Sequence, residues 1–106
     1  MLESGLVRAI IRAVLRQHPS AWVFKTVGGP YQVSGVPDLI LCVNGRFLAF
    51  EVKHQKPGES LAHARSRATP QQRWQLRMIA GAGGTALVVT TADEVLAAIA
   101  AVADAP

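Results

Sequence analysis

Cysteine is almost missing from this chain: Cys42 is the single one among 106 residues. A disulfide framework is therefore excluded, and a reducing compartment such as the cytoplasm is the simplest expectation. Histidine is scarce too. His18, His54 and His63 share no metal-ligand spacing, which sets a zinc site aside. No apolar stretch nears the roughly 20 residues needed to cross a membrane. The opening "MLESGLVRAIIRAVLRQ" repeats Arg at every fourth position instead of placing basic residues ahead of an apolar block, so it does not read as a secretion signal. No Ser–His–Asp arrangement stands out, and "VGGPYQVSG" (27–35) lacks the lysine of a phosphate-binding loop.

What is present describes one folded domain, residues 1–106. Half of the chain is apolar and 17% is charged, a globular composition with enough length for one modest core. The net charge of +4 is unevenly placed. From Lys53 to Arg77 there are six Lys or Arg and one acid, Glu59, whereas nothing basic follows Ala92. Such one-sidedness suits a polyanion such as DNA or RNA, with a solvated basic loop as the equal alternative on charge alone.

Residues 3–17 read as an amphipathic helix, with Val7, Ile10, Ile11, Val14 and Leu15 on one face and Arg8, Arg12 and Arg16 on the other. Glu3 lies one turn before Val7, on the inward side. "AWVFKT" (21–26) reads as a strand and 28–37 as a Gly/Pro loop. Strands at 38–43 and 46–53 are joined by Asn44-Gly45, the pair that a tight type I′ turn demands. Residues 54–68 show no usable periodicity and read as a long, basic, mobile loop. Thr69, Pro70 and Gln72 open a second long helix with a capping box and a proline at its first position. "TALVVT" (85–90) reads as a buried strand, Thr91 with Glu94 as a second capping box, and 92–103 as the last helix. Trp22 and Trp74 read as core residues. The order α-β-β-β-α-β-α implies an α/β (α+β) fold, a small mixed sheet flanked by helices.

The hairpin brings charge together. With Asn44 and Gly45 as the loop, Cys42 faces Phe47, Leu39 faces Phe50, and Asp38 faces Glu51, which makes the two carboxylates cross-strand neighbours with Cβ atoms ~5 Å apart. Lys53 shares their face because side chains alternate along a strand. Opposed carboxylates repel, and beside an apolar core one of them tends to keep a proton. A divalent cation would offset that repulsion, and oxygen ligands suit Mg²⁺ or Mn²⁺. The alternative is a structural ion pair between Lys53 and Glu51 or Asp38. Residues 47–52 are apolar on both faces and so form a central strand, and this setting favours the metal site.

"VPD" (36–38) and "EVK" (51–53), a hairpin apart, resemble the signature of the PD-(D/E)xK nuclease superfamily. With Glu3, "GVPDL" (35–39), "FEVK" (50–53), the "TPQQ" helix start and "AGG" (82–84), nearly the whole chain resembles the virus-type replication–repair nuclease (VRR-NUC) domain. The resemblance implies a restriction-endonuclease-like αβββαβ(α) core and an Mg²⁺- or Mn²⁺-dependent deoxyribonuclease. By position, Asp38 and Glu51 would bind the metal with the Val52 carbonyl, and Lys53 would orient or activate the attacking water. Glu3 resembles the first-helix acid that supports the site; the helix dipole is its other explanation. Gln72 falls where the family often has a glutamine, although the capping box already employs it, and Gln71 and Gln75 lie near the same face. Stand-alone viral members of this size resemble Holliday-junction resolvases and tend to be homodimers. This implies branched DNA as substrate, a second copy as partner, no membrane, and the cytoplasm of a bacterial or phage-infected cell.

Lys56, Arg65, Arg67, Arg73 and Arg77 would form a phosphate track, and Lys25, Tyr31 and Gln32 either meet DNA beside the Gly-rich loop or are ordinary loop residues. A non-catalytic DNA-binding module with a nuclease fold is the second reading. An α/β interaction subunit with a chance ion pair is the third.

Overall fold

The computed structural model describes residues 2–28 and 33–103; Tyr31 and Gln32 lie outside the described residues. The chain runs α1 (Glu3–Gln17), β1 (Trp22–Lys25), β2 (Leu39–Val43), β3 (Arg46–Val52), α2 (Leu61–Ser66), α3 (Pro70–Gly81), β4 (Thr85–Val89) and α4 (Ala92–Ala103). The sheet has the order β1-β2-β3-β4. β1, β2 and β3 are antiparallel, and β4 runs parallel to β3, so the sheet is mixed and β3 is interior.

The β2–β3 turn holds Asn44 at φ 51° and Gly45 at φ 77°, the double positive φ that this dipeptide allows. The register follows from it: Val43 faces Arg46, Cys42 faces Phe47 and Leu39 faces Phe50. Strand pairing stops there, so Asp38 sits one residue before β2 rather than within it.

Alternation along the strands gives the sheet two unlike faces. Leu39, Leu41, Val43, Leu48, Phe50 and Val52 point to one side and are buried. α1 and α4 pack on one another there, contributing Leu6, Val7, Ile10 and Val14 from one helix and Val95 and Ile99 from the other. The stripe of α1 is rotated from the expected one: Leu6 is buried and Leu15 is exposed. The other face is covered only in part. α3 lies over β3 and β4 with Leu76 buried, while Trp22, Phe24, Cys42 and Phe47 remain exposed.

This half-covered face corrects two expectations. Trp22 is 56% exposed and stacks in parallel on Phe24, and Trp74 on α3 is 51% exposed. Neither indole belongs to the core: among the described residues no helix packs on β1 and β2 on that side, and Trp74 lies on an outer face of α3. A third correction concerns residues 54–68, which are not a structureless loop. Ser60 caps α2 by accepting from the His63 N–H at 3.1 Å, and Ala64 and Ala68 are buried. Among the described residues no helix is long and apolar enough to cross a membrane.

Candidate active site

Asp38 is fixed by backbone on both sides. Its carbonyl accepts from the Thr26 N–H at 3.0 Å, tying it to the end of β1. Its Oδ2 accepts from the Val52 N–H at 2.8 Å, so the side chain turns across the hairpin toward the end of β3. Glu51, the penultimate residue of β3, points to the face that α3 covers, since its neighbours Phe50 and Val52 belong to the core face. Lys53 follows on the same face, and its Nζ stands 3.6 Å from Glu51 Oε2. The carboxylate pair and the lysine read from the hairpin register are therefore together.

α3 supplies the fourth member. Thr69 accepts from the Gln72 N–H at 3.1 Å, and Gln72 Oε1 accepts from the Thr69 N–H at 2.8 Å, a complete capping box. The other end of the same amide, Nε2, donates to Glu51 Oε2 at 3.1 Å. One side chain thus closes the helix cap and holds the carboxylate. The sequence reading set these roles against each other; an amide has both a donor and an acceptor and performs both.

Gly35 brings the preceding loop against this helix start. Its φ is +81°, and a Cβ there would sit 2.5 Å from the Gln71 carbonyl carbon and 2.8 Å from the Gln72 nitrogen. Only glycine allows this approach. An open cleft of about 360 Å³ lies between the two segments, with Gly35, Asp38 and Gln72 among its walls. A second cleft, about 200 Å³, opens on the other side of Asp38 and is lined by Glu3, Lys25 and Thr26.

Glu3 belongs to this second cleft but is not inward-buried as its helix position suggests; its side chain is 45% exposed. Oε1 accepts from the His54 N–H at 3.3 Å and lies 3.6 Å from Arg67 Nη1. Arg67, read from sequence as a phosphate contact, is a clamp. Its Nε is 3.1 Å from Glu59 Oε2, and Nη2 donates to the His54 carbonyl. The backbone N–H of Lys56 and then the Arg67 guanidinium hold the Glu59 carboxyl below its ordinary pKa. Arg65 is also engaged, 2.6 Å from Glu94 Oε2 on α4. Lys25, Lys56, Arg73 and Arg77 are exposed. The Glu59–Arg67 clamp was not legible in the sequence. Its one signal was an isolated acid inside a basic segment.

Glu51 is the group under electrostatic stress. The residue is 2% exposed, and its Oε1 is buried without a hydrogen-bond donor. Burial, and next the Asp38 carboxylate beside it, push its pKa from the ordinary 4.5 up to about 8, against the opposing pull of Lys53. A buried carboxylate oxygen with no donor, next to a second carboxylate, is a place a cation would satisfy. Among the described residues no group of three or more His, Cys, Asp and Glu gathers. The donor set is thus two carboxylates with backbone and solvent oxygens. That set fits Mg²⁺ or Mn²⁺, which take one or two carboxylates together with water and phosphate oxygens.

No protein-family model matches the sequence, and no curated protein is similar to it. The fold does have solved counterparts. A structure described as "VRR_NUC domain protein" matches with a TM-score of 0.68 at 21% identity, over 94% of this chain and 86% of the other. Another, described as "VRR_NUC domain", matches with a TM-score of 0.59 at 19% identity, over 88% and 92%. The VRR-NUC likeness read from the sequence is thus shared by the structure: the chain has the fold of these domains.

Proposed function

We propose that this chain is a divalent-cation-dependent deoxyribonuclease of the VRR-NUC type that cuts branched DNA, Holliday junctions included, as a homodimer. The observation that carries the reading is the convergence of Asp38, Glu51, Lys53 and Gln72 around a buried carboxylate oxygen that has no donor. A structural ion pair would need no such unsatisfied atom.

In this reading Asp38, Glu51 and the Val52 carbonyl hold Mg²⁺ or Mn²⁺. When bound, the cation supplies Lewis acidity to the phosphate and acidifies a water. The chain's own residues do the rest. Gln72 holds Glu51 Oε2 from above, so the carboxylate is oriented before substrate arrives. Asp38 is turned inward by the Val52 N–H. Lys53 stands beside the carboxylates, where its ammonium positions the attacking water and offsets charge developing on the phosphoryl oxygens. The water oxygen bonds to phosphorus as the bond to the leaving sugar oxygen breaks; the attacking water gives up a proton to solvent, and the leaving oxygen takes one from solvent. Glu3 stands at the far rim of the cleft and keeps His54, which follows Lys53, in place.

Lys56, Arg73 and Arg77 carry the phosphate track, with Lys25 at the cleft mouth. Arg65 and Arg67 reach phosphate only by giving up Glu94 and Glu59. Two copies would match a four-way junction, which has two symmetric cuts to make. Lys53→Ala is the test of the mechanism: cleavage falls to background while circular dichroism and DNA affinity stay near wild type. Retained cleavage removes Lys53 from the chemistry. Binding without cleavage by the wild type, with either cation, leaves the non-catalytic DNA-binding module.

A further inference from the structure

A concavity on the surface lies beside the site rather than in it. It measures about 410 Å³ and is lined by Val33, Ser34, Pro70, Gln71, Trp74 and Gln75. It shares Val33 and Ser34 with the cleft that contains Asp38 and Gln72, so the two adjoin the same segment. Gly35, packed on the Gln71 backbone, joins its two walls. Among the described residues the lining carries no charge, which makes it unlike a phosphate subsite. It offers one half-exposed indole, apolar walls from valine and proline, and two amides with a hydroxyl.

A flat aromatic wall with neutral donors and acceptors around it matches a nucleobase, whose face stacks and whose edge hydrogen-bonds. A base inside a duplex offers neither, because its faces are stacked and its edge is paired. Resting on the nuclease reading of the adjoining site, we infer that Trp74 stacks on one unpaired base of the DNA strand next to the scissile phosphate. Gln71 and Gln75 stand at that base's edge. The pocket thereby selects DNA whose strands splay, and it does so without a sequence code, since every base has a face to stack.

The test uses the full chain in EDTA, so that no strand is cut, and two DNA probes. One is a flap with 2-aminopurine as the first unpaired base; the other is the fully paired duplex of the same sequence. Wild type is expected to quench the 2-aminopurine on binding. Trp74→Ala and Trp74→Leu should abolish the quench and weaken flap binding about 5- to 100-fold, with duplex affinity unchanged, and Trp74→Phe should keep most of both. Melting curves establish that each variant folds. Equal loss on both probes overturns the inference, as does an unchanged quench. A sedimentation shift confined to the Trp74 variants, with the quench intact, would assign the surface to a protein partner instead and also overturns it. Quenching that depends on Trp74 in a chain that never cleaves with Mg²⁺ or Mn²⁺ would uphold the base pocket while ending the nuclease reading. Cleavage that is identical on flap and duplex in wild type and Trp74→Ala would end the pocket alone.

Discussion

Replacing Glu51 by Gln should make the cation-free protein more stable, although it removes the central carboxylate of the site. The folded protein holds a proton on Glu51 up to a pKa of about 8, whereas the unfolded chain releases it near 4.5. Below 4.5 both states are protonated and nothing is lost. Above it the folded state binds more protons than the unfolded one, so stability falls as the pH rises, until the folded group ionises near 8. Each pH unit in that window is worth 1.36 kcal/mol, so the loss at pH 7 is about 3 kcal/mol. Glutamine has the same shape and no charge, and its amide can still meet Gln72 and Asp38. Losing the Lys53 pair takes back part of the gain. For a domain of this size about 3 kcal/mol corresponds to ~10 °C or more in Tm. The assay is thermal unfolding in EDTA at half-unit steps from pH 4.5 to 8.5, with both proteins read side by side. The difference in Tm should be near zero at pH 4.5 and widen steadily toward pH 8. Adding Mg²⁺ should then raise the Tm of wild type and leave Glu51→Gln unmoved. A difference that stays flat across the range would mean that Glu51 is ionised throughout, and the stressed carboxylate would no longer be an argument for a cation.

Two further perturbations probe the scaffold. Gly35→Ala forces a side chain against the Gln71–Gln72 backbone at a positive φ; unfolding free energy should fall by at least about 2 kcal/mol, and cleavage should fall with it as Gln72 shifts, which melts and a junction-cleavage assay read together. Arg67→Ala releases Glu59, Glu3 and the His54 carbonyl and should lower Tm at pH 7 by a few degrees. Because Glu59 is held below its ordinary pKa, its share of stability is present above the ordinary value and lost as the pH falls through the lowered one. The gap between wild type and Arg67→Ala should therefore narrow at acid pH, and melts from pH 3 to 7 check it.

The site was legible where local chemistry fixes geometry. Asn44-Gly45 admits one turn, the turn sets the register, and the register brings Asp38 near the end of β3 and puts Glu51 and Lys53 on one face; the Val52 N–H that turns Asp38 across the hairpin left no trace in the sequence. Thr69, Pro70 and Gln72 likewise announced the start of α3 because a cap is a local bond. What was missed depends on the rest of the fold. α2 has six residues and only Ala64 buried, so it leaves no periodic stripe; its flank is held by Arg67 reaching Glu59 and Glu3. Trp22 and Trp74 are apolar residues on elements with a buried side, yet Trp22 lies on the part of the sheet that no described helix covers and Trp74 on the outward side of α3. Composition says that an indole prefers to be covered, not whether anything is there to cover it.

The most direct measurement is cleavage of a labelled four-way junction by wild type and Asp38→Ala, in Mg²⁺, in Mn²⁺ and in EDTA. Wild type should cut with either cation and not in EDTA, and Asp38→Ala should cut under no condition while it still binds the junction. Cutting that survives EDTA, or that survives the loss of Asp38, would contradict the metal-dependent mechanism.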